Sequence, residues 1–323
     1  MTSERMTNEE IADQPTWTHG YADVEPDVRL HYVTQGPEDG PLMVLLHGFP
    51  EFWYSWRHQI PVMAEAGYRV VAPDMRGYNE SDKPKGVKRY AIKRLTADVM
   101  ELIRHFDRES AVIVAHDWGG GVAWQFAIEY PQATEQLVVM NAPHPAAFAK
   151  HLGRGSRPNL RQLRRSWYMF FFQIPWLPEF LALRNPRRLI EGVFRGQAVR
   201  KEAFSDADID AYTEAITKPG ALSAGINYYR AAFRGDFINP FSKAPPAEDL
   251  TISVPTLLIW GEEDQALGKE LTYDLDEYFT STFEIHYVPK TSHWVQQEQP
   301  EECCEATLAF LAAHRDSPGS GAD

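Results

Sequence analysis

The run Ala111-Val112-Ile113-Val114-Ala115-His116-Asp117-Trp118-Gly119-Gly120-Gly121 limits the chain's folding options more than any other segment. Five apolar residues read as a buried strand, and the small residues after Trp118 read as a sharp turn into a helix. Ala115 and Gly119 flank the tip at the spacing small-x-Asp-x-small, so strand and helix can cross closely. The tip carries a carboxylate, Asp117, where a strand-turn-helix of this shape presents an attacking side chain.

A carboxylate at that point limits the chemistry. Attack on a carbonyl would give a labile anhydride. Attack on an sp³ carbon bearing a leaving group gives a stable alkyl ester that water can cleave. Asp117 therefore points to ring opening or halide displacement, and away from ester or peptide hydrolysis.

The rest of the chain alternates strand and helix. Strands are expected at 28–34, 42–46, 68–73, 111–115, 136–140, 254–260 and 283–288. Helices are expected at 56–65, 95–106, 119–130, 271–278 and 300–314. Continuous apolar strands between amphipathic helices predict an α/β fold, a mostly parallel central sheet with helices on both faces. The alternation stops over 143–250, a stretch rich in Arg and aromatics that reads as an inserted helical cap. The core is then 16–142 with 251–315, and segments 1–15 and 316–323 are expected to be disordered. A cap inserted there would lie over the carboxyl ends of the strands, where open α/β sheets bind ligands.

With 44% hydrophobic residues, the 323-residue chain has ample material for a core. Its net charge of −13 repels nucleic acid and anionic membrane surfaces, and both are set aside as partners. Cys303 and Cys304 are adjacent and read as partly buried free thiols in a reducing compartment. The first fourteen residues are polar, and no stretch reaches the apolar length of a membrane-spanning helix. A soluble, cytoplasmic protein is expected, with no metal site and a homodimer left open.

Three further elements fall in order around Asp117. Leu46-His47-Gly48-Phe49-Pro50 ends an early strand, and the amides of Phe49 and Trp118 are placed to form an oxyanion hole. Leu258 to Asp264 ends a late strand in Glu262, Glu263 and Asp264; Asp264 is the choice to orient a histidine, with the two glutamates as alternatives. His293, after the final strand, is the expected base, because nucleophile, acid and histidine follow one another in that chain order. His116 and His144 read as structural, hydrogen-bonded groups.

With these placed, the chain resembles the epoxide hydrolases of the α/β-hydrolase superfamily, from about Val28 to Phe310. The resemblance rests on 47–57 (His-Gly-Phe-Pro-Glu-Phe-Trp-Tyr-Ser-Trp-Arg), Asp74-Met75-Arg76-Gly77-Tyr78, His116-Asp117-Trp118-Gly119-Gly120, Asn141-Ala142-Pro143-His144-Pro145 and Ser292-His293-Trp294. Tyr168-Met169-Phe170-Phe171-Phe172-Gln173 and Asn227-Tyr228-Tyr229-Arg230 look like the family's cap-tyrosine motifs, with Tyr168 and Tyr229 as the matching tyrosines. Ala115 stands where the family usually has glycine, and Asn79 where glycine is common; Asn tolerates positive φ.

The resemblance implies an α/β-hydrolase fold and a cofactor-free conversion of an apolar epoxide and water to a diol. Asp117 attacks a ring carbon while Tyr168 and Tyr229 donate to the oxygen. His293, oriented by Asp264, then activates the water that cleaves the ester. Phe49, Trp118 and both tyrosines are the implied substrate-binding residues. His293 is expected to be neutral, with activity on a plateau between its pKa and those of the tyrosines. Trp167, Phe170, Phe171, Phe172, Trp176 and Leu177 suggest an apolar cap interior. Arg154, Arg157, Arg161, Arg164, Arg165, Arg187 and Arg188 read as solvated helix faces, some paired with acidic core loops; the competing reading is attraction of an acidic substrate such as an epoxy fatty acid.

Two alternatives stand beside this. A haloalkane dehalogenase uses the same carboxylate, but Phe49 replaces the Asn usual there, and a halide needs no phenolic proton donor. The fluoroacetate-type dehalogenases carry Arg after the nucleophile, where this chain has Trp118. A non-catalytic ligand sensor on the same fold would have no need of the His–Asp pair.

Overall fold

Apolar strands remain apolar along their whole length only when both faces are covered, and the computed structural model shows why that pattern occurs here. It describes residues 17–153, 156–235, 237–239 and 246–315; the expectations for 1–15 and 316–323, and Arg154, lie outside the described residues. The strands are β1 (Thr18–Glu25), β2 (Val28–Gln35), β3 (Leu42–Leu46), β4 (Arg69–Pro73), β5 (Ala111–His116), β6 (Thr134–Met140), β7 (Thr256–Gly261) and β8 (Phe283–Val288). They form one sheet in the order β1-β2-β4-β3-β5-β6-β7-β8. Only the β1–β2 and β2–β4 pairings are antiparallel.

The helices are α1 (Gln59–Glu65), α2 (Ile92–His105), α3 (Trp118–Glu129), α4 (Pro145–His151), α5 (Leu160–Arg165), α6 (Trp167–Phe171), α7 (Leu177–Leu183), α8 (Pro186–Val193), α9 (Asp206–Thr217), α10 (Ala221–Arg234), α11 (Val295–Glu298) and α12 (Pro300–Ala313). Strand parity divides the core in two. Val44, Leu46, Ile113, Ala115, Leu137 and Val139 share one cluster with Leu95, Val99 and Leu102 of α2 and Val122 and Phe126 of α3. Met43, Leu45, Val112, Val114, Val138 and Met140 share the other with Ile60 and Met63 of α1 and Cys303 and Phe310 of α12. Each such aliphatic side chain contributes roughly 1.5–3 kcal/mol by leaving water.

Several expectations change. β1 was not foreseen: it is an edge strand in which only Ala22 and Val24 are buried, so its residues carry no apolar run. The helix expected at 271–278 is two short 3₁₀ turns, Lys269–Thr272 and Asp276–Tyr278; Asp274 between them has φ 56°, which breaks a helix. The helix expected from Trp56 starts at Gln59, after a 3₁₀ turn at Trp53–Trp56. Cys303 and Cys304 are fully rather than partly buried, and burial pushes both thiols up, Cys304 to about 12.

Between β6 and β7 the described residues form the helices α4 to α10 and no strand. This insert is tied to the sheet by buried polar contacts. The Tyr212 hydroxyl donates to Gln297 at 2.8 Å, the Tyr228 hydroxyl donates to the Arg76 carbonyl at 2.8 Å, and Arg57 pairs with Asp208 at 3.0 Å.

The crossing of β5 and α3 admits no side chain at Gly119. A Cβ there would lie 2.2 Å from the Leu46 carbonyl oxygen, a backbone atom that cannot step aside. Gly119→Ala is expected to lower stability by about 1–3 kcal/mol, read as a reduced urea midpoint at unchanged slope.

Candidate active site

Asp117 sits at the end of β5 with φ 49° and ψ −117°, and its strained turn leads directly into α3. Such a conformation costs a non-glycine residue about 1–3 kcal/mol and persists where the surroundings enforce it. Here β3 supplies part of that constraint. A Cβ on Gly48 would lie 2.4 Å from the Asp117 Cβ and Oδ1, so the loop after β3 passes against the carboxylate only because residue 48 is glycine. The next amide, Phe49 N–H, donates to Asp117 Oδ1 at 2.8 Å. The Trp118 amide opens α3 and has no acceptor within the helix.

The second carboxylate oxygen, Oδ2, faces His293 Nε2 at 3.4 Å. On the other side of the ring, His293 Nδ1 bonds Asp264 Oδ2 at 2.7 Å. Asp264 is buried after β7, whereas the alternatives Glu262 and Glu263 are exposed and Glu262 pairs with Lys269. Asp264 also accepts the Ala266 and Leu267 amides at 2.7 and 2.8 Å.

These three groups set one another's charge. Burial alone would raise the Asp117 carboxyl, but the hydrogen bond and charge of His293 overcome it and hold its pKa below the usual range. Asp264 is likewise lowered against burial, chiefly by the charge of His293. Burial pulls His293 down, yet Asp264 and Asp117 together raise it well above an ordinary imidazole. Beside these two carboxylates the imidazolium is favoured at rest, so the neutral His293 that activity requires has to form during the reaction.

Tyr168, half-buried on α6, and Tyr229, buried on α10, come from opposite ends of the insert's sequence and meet above Asp117. Their rings are 5.7 Å apart, and Tyr229 stands edge-on to Trp118 at 4.9 Å and to Phe49 at 5.5 Å. Burial first, then nearby negative charge, Asp117 included, push both phenols well above their ordinary pKa. The last residue of each tyrosine motif clamps the two helices together. Arg230 donates to the Phe172 and Ile174 carbonyls at 2.8 Å and pairs with Glu179 at 2.6 Å. Gln173 reaches the Tyr229 carbonyl at 3.4 Å.

Asp117, His293, Tyr168, Tyr229 and Phe49 line one cavity of about 1210 Å³. Trp167, Phe171 and Phe172 line it too, but Phe170 and Trp176, expected in its interior, are 42% and 70% exposed. Arg161, Arg164, Arg165 and Arg188 also reach this cavity, and Arg165 faces Glu270 of the core at 3.7 Å. A second pocket of about 60 Å³, lined by Trp118, Phe148, Met169, Phe237 and Leu267, opens on the other side of Asp117 and the tyrosines.

Comparison with known proteins identifies the family. The α/β-hydrolase-fold family model matches residues 41–300. Epoxide hydrolase 1 of Caenorhabditis elegans is 42% identical over 289 residues, covering 88% of this chain and 68% of the relative. Mouse epoxide hydrolase 4 is 38% identical, covering 93% and 81%. The chain belongs to the epoxide hydrolases of the α/β-hydrolase family. An epoxide hydrolase of Bacillus megaterium, solved with an inhibitor, superposes with a TM-score of 0.77 at 31% identity, over 91% of this chain and all of that one. Among the described residues of this family member, no His, Cys, Asp and Glu cluster could hold a metal ion, and no helix is long and apolar enough to cross a membrane.

Sequence reasoning left several positioning residues without a role. Asn141, at φ 40° just after β6, donates to Asp264 Oδ2 at 2.8 Å and accepts the Gly261 amide at 2.8 Å. His116 spans Glu51 at 2.7 Å and the His293 carbonyl at 2.8 Å, while Glu51 accepts the Gly48 amide at 2.8 Å. One buried chain thus links the Phe49 loop to the backbone of His293. His116 and His144 are hydrogen-bonded groups as expected, His144 through the Leu250 carbonyl. The available signal was a polar residue at the carboxyl end of a core strand, which describes both His116 and Asn141.

Asn141→Ala would leave Asp264 one donor short and the Gly261 amide unpaired. The expected cost is about 1–3 kcal/mol, seen as a fall of order tenfold in kcat at little change in KM, with a lower unfolding temperature.

Proposed function

We propose that this chain hydrates an apolar epoxide to a vicinal diol through an ester on Asp117, with the helical insert as its cap. The observation that carries the reading is the meeting of a carboxylate nucleophile, a His–Asp pair and two phenols around one apolar cavity. A carboxylate with a lowered pKa is ionised at neutral pH and free to attack, and the raised phenols keep their protons until an alkoxide forms. Asp117 Oδ2 forms a bond to one ring carbon as the C–O bond breaks, and Tyr168 or Tyr229 gives its proton to the leaving oxygen. Oδ1 already accepts from Phe49, so the ester carbonyl is formed inside its oxyanion hole, with Trp118 as second donor.

Ester formation also removes the charge on Asp117. His293 then keeps only Asp264 to hold its pKa up, and its proton passes to the phenolate left by ring opening, so the imidazole becomes the base. Neutral imidazole takes a proton from water, the hydroxide adds to the ester carbonyl, and collapse expels the product alkoxide and leaves Asp117 as a carboxylic acid. The alkoxide takes its proton from His293, and the Asp117 carboxyl then gives the remaining water proton to the imidazole, which restores carboxylate and imidazolium. The smaller pocket beside Asp117, lined by Phe148, Met169 and Leu267, offers an apolar recess to a second substituent of the epoxide. Two free thiols fit a reducing compartment, so the expected cytoplasmic location is kept as part of this reading.

The two phenols separate this reading from halide displacement, which needs no proton. Tyr168→Phe with Tyr229→Phe is expected to lower kcat/KM for a styrene-type epoxide by about 100-fold or more. Release of halide from primary haloalkanes, unaffected by the double substitution, would replace the proposal with a dehalogenase.

Charge coupling gives a pH dependence for each half-reaction. Alkylation should stay level across neutral pH and fall only below the ordinary Asp value near ~3.9, because Asp117 is lowered. Ester cleavage should rise with pH as His293 loses its proton, at a midpoint below that of the free enzyme, where His293 lies above ~6.5. Single-turnover rates and NMR titration of His293 measure these. His293→Gln should accumulate the alkyl-enzyme mass; its absence would rule out the covalent route.

A further inference from the structure

We propose that the outer face of the helical insert docks on an anionic lipid bilayer, with the mouth of the catalytic cavity turned toward the membrane. Charge in this chain is segregated. Residues 150–200 carry eleven Lys and Arg against two acids, a net charge of +9 in a chain whose total is −13. Arg157, Arg161, Arg164, Arg184 and Arg188 are exposed and make no ion pair among the described residues. Whole-chain charge, which argued against membrane surfaces, averages this face with a strongly acidic remainder.

The same segment presents apolar side chains to water. Eight of the twelve large hydrophobic residues exposed among the described residues fall within 160–183. Leu160 is 76% exposed, Trp167 62%, Trp176 70% and Phe180 54%. Contiguous exposed apolar surface marks an interaction site. Tryptophan and phenylalanine interleaved with unpaired arginine suit the headgroup boundary of a bilayer, where rings enter the acyl edge and guanidinium groups stay among phosphates. Arg184 already lies over the Phe180 ring at 5.7 Å.

The helices that carry these residues also frame the cavity. Arg161 and Arg164 of α5, Trp167 of α6, and Leu181 and Arg188 of α7 and α8 line the cavity and are also exposed, so it reaches the surface on this face. Docking would therefore place the opening against the lipid. If the cavity takes apolar epoxides, as proposed above, they would enter from the phase in which they dissolve. A second copy is a poorer occupant, because a two-fold contact would set this basic face against itself. The acidic remainder of the surface is repelled by the same lipids, which gives docking one orientation.

Flotation of the full chain with vesicles of phosphatidylcholine, alone or mixed with phosphatidylglycerol, tests the proposal. Binding is expected only to the mixed vesicles and should weaken with salt. Arg157→Gln and Arg184→Gln should each weaken it about fivefold. Trp176→Ser with Phe180→Ser, at positions outside the cavity lining, should also release the protein. All variants should hydrolyse a water-soluble epoxide at the parent rate and melt at the parent temperature, so a failure of docking stays distinct from a failure of the catalytic reading. No binding to mixed vesicles, equal binding to neutral ones, or binding unchanged by these substitutions would overturn the proposal. So would a lipid-independent dimer that Trp176→Ser with Phe180→Ser abolishes, since a second copy would then cover the face.

Discussion

A buried carboxylate, Asp264, and a largely buried one, Asp117, face one imidazole at the rim of the sheet, and burial opposes the charge on each of the three. Burial raises the cost of ionising Asp117 and Asp264 and of protonating His293. Their mutual attraction and hydrogen bonds reverse that sign for each of them. Much of the surrounding structure supports this arrangement. The backbone strain at Asp117, the close pass of Gly48, the Asn141 bond to Asp264 and the His116 bridge to the His293 carbonyl hold the three groups within reach. Because the middle charge depends on its neighbours, the proposed ester on Asp117 would change the imidazole's role by removing one of the two charges that hold its proton.

The two phenols are held separately from Asp117. Asp117, His293 and Asp264 come from the ends of strands or the loops after them, which the sheet makes rigid. Tyr168 and Tyr229 come from helices of the insert, and their alignment depends on local ties. Arg230 and Gln173 bind backbone carbonyls across the two helices, so each tyrosine motif ends in the residue that fixes its partner's position. Tyr228, beside Tyr229, anchors α10 to the Arg76 carbonyl. Loss of such ties would loosen the phenols without touching the triad.

Charge is organised at two scales. Inside, the ionised groups are few and paired at hydrogen-bond distance. Outside, basic residues gather on one part of the insert beside exposed aromatics, and the acidic excess occupies the rest of the chain. Net charge is a sum over the whole sequence and carries no information on where charge lies, and a surface interacts through its local charge within about one Debye length.

Sequence alone determined the sheet's buried strands and, by local pattern and chain order, singled out Asp117, Asp264 and His293, while the two tyrosines came from the family resemblance; the structure brings all five together. Continuous apolar runs read as strands covered on both faces, and the elbow reads from eleven consecutive residues. Edge strand β1 was not legible, since a strand with one buried side and few apolar residues leaves little pattern. The break at Asp274 was missed because a single left-handed residue outweighs a helical periodicity. Only the tertiary structure decided which charges surround His293, the contacts of Asn141, Glu51 and His116, and which insert aromatics face inward. Those depend on distances between residues far apart in the chain, and the electrostatic energy that sets them varies with separation and burial, neither of which is written in residue order.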